Sequence, residues 1–336
     1  MIPLSSINVQ PKSWQKQLAQ AITDPLRLIE YLNLPIQLHE SIKNAGELFP
    51  LKVTLDYLDC IKKSDVTDPL LRQILPIQDE FIIKAGYNHD PVGDLESSYQ
   101  PGLIHKYHGR VLLITTPACA IHCRYCFRRH YPYKDASANG KYLDQALTYI
   151  FENEDINEII LSGGDPLSLS DQQLLEMIQR IEKISHIKTL RIHTRLPIVL
   201  PDRITKDLIN MLTSTHLNTV VVVHCNHPNE ISDKVTHALT CLKLSGITLL
   251  NQSVLLAGVN DDENTLIDLS HKLFEAGVLP YYLHLLDAVE GATHFSVDTP
   301  KALKLIKSIQ AKLSGFLVPK LVREVKGELY KQNITQ

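Results

Sequence analysis

Three thiols stand at Cys119, Cys123 and Cys126 in the pattern C-x3-C-x2-C, just beyond the apolar run Val111-Leu-Leu-Ile114. Soft thiolate sulfur suits iron. Three such ligands on a loop leaving a strand can grip three corners of a four-iron cluster, with the fourth iron open to a small molecule. A closed structural zinc site instead wants four ligands, usually two C-x2-C pairs or a late His pair. Only one C-x2-C pair is present, and His122 or His130 would have to complete a zinc loop. The other cysteines, Cys60, Cys225 and Cys241, are scattered. Cys241, in Ala238-Leu-Thr-Cys-Leu242, reads as a buried helix residue.

A loop of this kind needs a scaffold, and from Arg110 onward the pattern supplies one. Apolar runs at 110–116, 156–162, 188–194, 217–224, 247–254 and 279–286 predict strands. Amphipathic stretches near 141–153, 170–185, 203–215, 231–245, 262–276 and 300–314 predict the helices between and after them. Strand-helix alternation implies a parallel sheet with helices outside, and six units are fewer than the eight of a closed barrel. An open or partial barrel is therefore expected. Chemistry in such folds sits at the C-terminal ends of strands, and here all six strands finish in polar groups. They are the Cys loop, Gly163-Gly164-Asp165-Pro166, His193-Thr194-Arg195, His224 with Asn226-His227, Asn251-Gln252-Ser253, and Asp287. The glycines at 163 and 164 are expected to let backbone approach a ligand.

Ahead of the barrel the pattern is helical. Trp14, Leu18 and Ile22 fit one helix; Asp24-Pro25 opens a second through Leu26, Ile29 and Leu32; Leu55, Leu58 and Ile61 suggest another, and Asp68-Pro69 opens a short one. Gly86 to Gly102 has turn composition and reads as a linker. The expected division is a helical region and linker at 1–100, the barrel at 101–314 and a C-terminal tail at 315–336.

Composition narrows the partners. A chain of 336 residues with 44% hydrophobic and 21% charged residues builds a large core. A formal charge of −3 gives no electrostatic case for nucleic acid or an anionic membrane. No apolar run approaches a membrane span, and Met1-Ile-Pro-Leu-Ser lacks the pattern of a signal peptide. A small-molecule substrate and a cytoplasmic setting are expected.

The Cys loop together with Phe127-Arg128-Arg129 resembles that of radical S-adenosylmethionine enzymes, and more narrowly that of the lysine 2,3-aminomutase family, over about residue 48 to Lys331. The resemblance implies a (β/α)6 partial barrel with a C-terminal tail folding over it. It also implies a [4Fe-4S] cluster on Cys119, Cys123 and Cys126, S-adenosylmethionine on the open iron, and pyridoxal phosphate. By resemblance, Gly163, Gly164 and Asp165 meet the methionine amino group, Arg195 its carboxylate, and His224 and Gln252 line the cofactor cavity. Lys331 is the implied Schiff-base lysine, although the family's glycine run before it is reduced here to Gly327. Lys106, Tyr107 and Arg110 are implied for the phosphate, with Lys106 where the family has arginine. For L-lysine as substrate, Arg128 is implied for the carboxylate, and Asp287 with Glu324 for the distal ammonium, Glu324 standing where the family has aspartate. An external reductant of flavodoxin or ferredoxin type is implied. The chain resembles the short form, which makes (R)-β-lysine for attachment to elongation factor P by a separate ligase. The alternatives are a catabolic enzyme acting on free lysine, a radical S-adenosylmethionine enzyme without pyridoxal phosphate, and a zinc-bearing interaction module.

Overall fold

A computed structural model describes residues 13–133, 137–138 and 140–335; the first residues, read above for a signal peptide, lie outside it. Ten strands form one sheet in chain order. They are β1 (Ser98–Gln100), β2 (Leu103–Tyr107), β3 (Arg110–Thr116), β4 (Glu158–Gly163), β5 (Thr189–Thr194), β6 (Asn218–Val223), β7 (Thr248–Leu255), β8 (Leu279–Leu285), β9 (Lys320–Arg323) and β10 (Gln332–Asn333). From β3 to β9 every pairing is parallel. Antiparallel pairs finish the two sides, β1 with β2 and β2 with β3 at one, β9 with β10 at the other. The sheet is a partial barrel, as expected, with its first and last strands not paired to each other.

Two-residue alternation sets the two faces. On β5, Leu190 and Ile192 are fully buried against the outer helices, while Arg191 and His193 line an interior cavity. On β7, Gln252 and Val254 line it likewise. The helices outside are Gly140–Glu152, Asp171–Ile181, Lys206–Ser214, Asp233–Leu244, Glu263–Glu275 and Thr299–Gln310, within a few residues of expectation. Most start at a side-chain cap: Ser170, Thr205, Ser232, Asp262 and Asp298 each accept a first-turn backbone N–H. Among the described residues no helix is long and apolar enough to cross a membrane.

Several local expectations are corrected. Ile22 is outside the first helix, Trp14–Ala19, and bridges Val53 as a short β contact. A helix at Leu38–Leu48 was not foreseen, because it buries only Ile42 and Ala45 and its stripe is thin. The stretch 86–102 is not a free linker. It supplies β1, pairs with residue 289 through Asn88, and buries Asp94. The tail beyond 314 does fold back, with Leu317 and Leu321 buried and Val318 packed against them, and it adds β9 and β10 to the sheet.

The N-terminal helices share one core with the barrel, in which Trp14, Ile22, Leu28, Leu32, Leu70 and Leu71 join Leu161, Leu190 and Val221. They also contribute charge. Glu80 is buried and takes both Arg124, at 2.6 and 2.8 Å, and Arg129, at 2.6 Å, so one carboxylate ties this region to the Cys loop. Removing one partner of a buried ion cluster leaves the other charges uncompensated. Glu80→Ala should therefore lower the unfolding free energy by about 3–5 kcal/mol, read by denaturant titration of the folded protein. An unchanged midpoint would mean that the two guanidinium groups find other partners.

Candidate active site

The inward faces of the parallel strands enclose a cavity of about 840 Å³. All sixteen side chains singled out from the sequence line it: Lys106, Tyr107, Arg110, Cys119, Cys123, Cys126, Arg128, Gly163, Gly164, Asp165, Arg195, His224, Gln252, Asp287, Glu324 and Lys331. They arrive from the strands or strand ends of all seven parallel strands, β3 to β9, and from β2 and the segment before β10, so the topology brings them together.

At the upper wall stand the three cysteines. All six cysteines are free thiols. Burial pushes Cys119 well above its ordinary range and Cys126 up to about 11. Buried thiols facing one another suit metal ligation, since a bound cation reverses the cost of ionising them. Among the described residues no three ligating groups stand at single-ion spacing; the thiols are spread along one wall instead. The glycines beside them have a reason within the protein's own backbone. A Cβ on Gly164 would lie 2.4 Å from the Ala118 carbonyl oxygen, and one on Gly163, where φ is +126°, would lie 2.8 Å from that of Thr116. They are glycines so that the end of β4 can dock onto the backbone leading into the Cys loop.

Asp165 and Arg195 are held by protein. Asp165 accepts from the Thr194 hydroxyl and from the N–H groups of Leu167, Arg195 and Leu196, while burial raises its carboxyl to about 6. Arg195 donates to Cys123 Sγ at 2.7 Å, Tyr125 Oη at 2.6 Å, Gln73 Oε1 at 2.8 Å and Glu230 at 2.9 Å; only its Nε lacks a partner. Its fork is thus spent on this hub, where a ligand carboxylate was expected. His224 Nε2 shares the hub through Tyr125 Oη at 3.0 Å.

On the opposite side runs a line of alternating charge that the sequence reading did not assemble. Asp94 Oδ2 accepts from Arg128 Nε at 2.7 Å, and Lys106 Nζ stands 2.5 Å from Asp94 and 3.0 Å from Glu324. Glu324 Oε2 takes Lys331 Nζ. Burial alone would push Glu324 up, but Lys331 and then Lys106 hold it well below the usual carboxylate range. Asp287, without such partners, is pushed up to about 7 by burial and by the charge of Glu324. The carboxylate pair expected for a distal ammonium is therefore split, with Glu324 taken by two lysines and Asp287 without an ion-pair partner among the described residues. Asp94 was missed because it lies in a Gly- and Pro-rich stretch that reads as a turn.

Deeper in the cavity, Arg110 lies over the Tyr107 ring at 4.7 Å. Arg191, also missed, pairs with Glu158 at 2.7 Å and keeps a buried Nε without a partner. Unpaired donors of this kind beside Lys106 and Arg110 fit a phosphate, and Lys331 supplies a primary amine in the same cavity.

The sequence profile of the radical SAM superfamily matches residues 113–269, which covers the Cys loop and the strands down to β7. Among proteins of known name, the L-lysine 2,3-aminomutase of Haemophilus influenzae is 45% identical over 98% of this chain and 97% of its own length. That of Escherichia coli is 46% identical over 94% and 93%, and that of Clostridium subterminale 36% identical over 94% and 76%. Among solved structures, a radical SAM methyltransferase from Sphaerobacter thermophilus is 17% identical and aligns with a TM-score of 0.46 over 66% of this chain and 68% of that one. The chain belongs to the L-lysine 2,3-aminomutase family of radical S-adenosylmethionine enzymes. The cofactors of that family are a [4Fe-4S] cluster, S-adenosylmethionine and pyridoxal phosphate, and the donor sets above fit each of them.

If Cys119, Cys123 and Cys126 hold the cluster, alanine at any of them should give a folded protein without iron and acid-labile sulfide, while alanine at Cys60 or Cys241 should retain both. A Cys119→Ala protein with its full complement would remove the assignment.

Proposed function

We propose that this protein converts L-lysine to (R)-β-lysine by moving the α-amino group to the neighbouring carbon. The observation that carries this reading is the polarity of the cavity: a guanidinium at Arg128, a carboxyl at Asp287 with no partner among the described residues and the amine of Lys331 line the same space, as a substrate with one carboxylate and two amines requires. When bound, the cluster and S-adenosylmethionine supply a hydrogen-abstracting radical, and pyridoxal phosphate supplies the π system that steadies the rearranging group.

Cys119, Cys123 and Cys126 would hold the cluster. Lys331 would carry pyridoxal phosphate, its Nζ aimed by Glu324, while Lys106, Tyr107 and Arg110 receive the phosphate. Arg128, fixed through Nε by Asp94 and through one Nη1–H by Ser162 at 3.2 Å, would turn its remaining N–H groups to the substrate carboxylate. Asp287 takes the distal ammonium. Gly163, Gly164, Asp165, Arg195, His224 and Gln252 form the wall on the S-adenosylmethionine side, where Asp165 and Arg195 act by rigidifying the cluster loop. Walls from all the parallel strands keep bulk water from a radical.

Higher identity to the Haemophilus influenzae and Escherichia coli relatives than to that of Clostridium subterminale supports the short form, with the product passed to a ligase that attaches it to elongation factor P. Six free thiols support a reducing, cytoplasmic setting, where a flavodoxin or ferredoxin would deliver the electron.

The test is anaerobic incubation with lysine, S-adenosylmethionine, pyridoxal phosphate and a reductant, with chiral analysis of the product. (R)-β-lysine is expected; cleavage of S-adenosylmethionine with no lysine isomer formed would contradict the reading. Asp287 adds a pH signature. Its folded pKa lies near 7, so the empty site is protonated below that pH and ionised above it. An ammonium binds the ionised form, so lysine affinity should fall as pH drops below 7. Asp287→Asn should flatten that dependence and cost about 2–5 kcal/mol of binding.

A further inference from the structure

His193 is a cavity residue with nothing to bind. Its Nε2 is buried without a partner, and the ring makes no hydrogen bond among the described residues, although buried polar atoms are as a rule paired. The side chain lines the cavity from β5.

The strand register says what stands beside it. Leu161 on β4 is paired with Ile192 on β5, and both are fully buried against the outer helices. The next residue on each strand, Ser162 and His193, therefore faces inward at the same level, and both line the cavity. Ser162 Oγ is the atom that accepts from Arg128 Nη1. His193 thus stands next to the serine that anchors Arg128. That arginine has already committed Nε–H to Asp94 and one Nη1–H to Ser162, so the second Nη1–H and the two N–H groups of Nη2 are left for a ligand. A carboxylate offers about four lone-pair sites on its two oxygens, more than the free N–H groups of an anchored fork can fill, so a further donor has a place.

We propose that His193 is a second binding residue for the substrate α-carboxylate, donating to one oxygen while Arg128 Nη2 donates to the other. The proposal rests on the lysine reading above and names a residue of that same site. The ring serves as a neutral donor: burial first, then Arg191, Lys331, Arg128 and His284, push it well below its ordinary pKa. Other uses of the ring are outcomes of the test. A contact to pyridoxal phosphate would show as loss of that cofactor, and a packing role as loss of affinity for any ligand of the cavity.

The experiment compares two ligands on the anaerobic holoenzyme by equilibrium dialysis: L-lysine, and 1,5-diaminopentane, which is lysine without its carboxylate. His193→Leu should weaken lysine roughly tenfold or more, the scale of a hydrogen bond to a charged group, and leave diaminopentane and the content of pyridoxal phosphate unchanged. His193→Gln, which restores a donor, should recover most of the lysine affinity, and it carries the comparison if the leucine variant does not fold. Parallel loss of both ligands, loss of pyridoxal phosphate, or no change in either ligand overturns the proposal. If the unaltered protein binds lysine no better than diaminopentane, the lysine reading itself fails.

Discussion

Arg128, Asp94, Lys106, Glu324 and Lys331 form a ladder of alternating charge, three cations interleaved with two carboxylates, inside a largely buried cavity. Taking charges out of water is costly unless each is paired, so this order of signs is a condition for burying any of them. The ladder also does what the backbone does not. The sheet is open between its first and last strands, and the Lys106 to Glu324 contact at 3.0 Å joins β2 near one side to the residue just after β9 near the other. Side-chain charge thus spans the gap that hydrogen bonds leave.

The same logic bears on the lysine site proposed above. Burial first, and then the charge of Glu324, drive Asp287 towards its neutral form, and among the described residues no cation pairs with it. A cavity with one satisfied carboxylate and one unsatisfied carboxyl is prepared for an incoming cation. At the other end of the ladder, Asp94 fixes the orientation of Arg128, and an oriented guanidinium loses less entropy when it meets a carboxylate. A second knot, in which Arg195 joins Cys123, Tyr125, Gln73 and Glu230, does for the cluster wall what the ladder does for the substrate wall.

Much of the barrel was legible because its strands and helices carry strong periods: the six strands from β3 to β8 fall within two residues of the apolar runs. What escaped was short or edge structure. β1, β2, β9 and β10 span two to five residues each, too few for a period of two to show. The site residues that resemblance named do line one cavity. Their partners, Asp94, Glu80, Glu230 and Gln73, were invisible, because a charge pair between positions tens or hundreds of residues apart leaves no local pattern. Gly163 and Gly164 were recognised as special for close approach to a ligand; the structure shows a close approach of its own, to the backbone leading into the Cys loop.

The central claim is that the ladder ends on the lysine that carries pyridoxal phosphate. It is tested most directly by borohydride reduction of the pyridoxal phosphate-loaded protein followed by peptide mass mapping. The account predicts a stable pyridoxyl label on Lys331, and loss of bound pyridoxal phosphate but not of the cluster in Lys331→Ala. A label on Lys320 or Lys326, or none on any lysine, would contradict it.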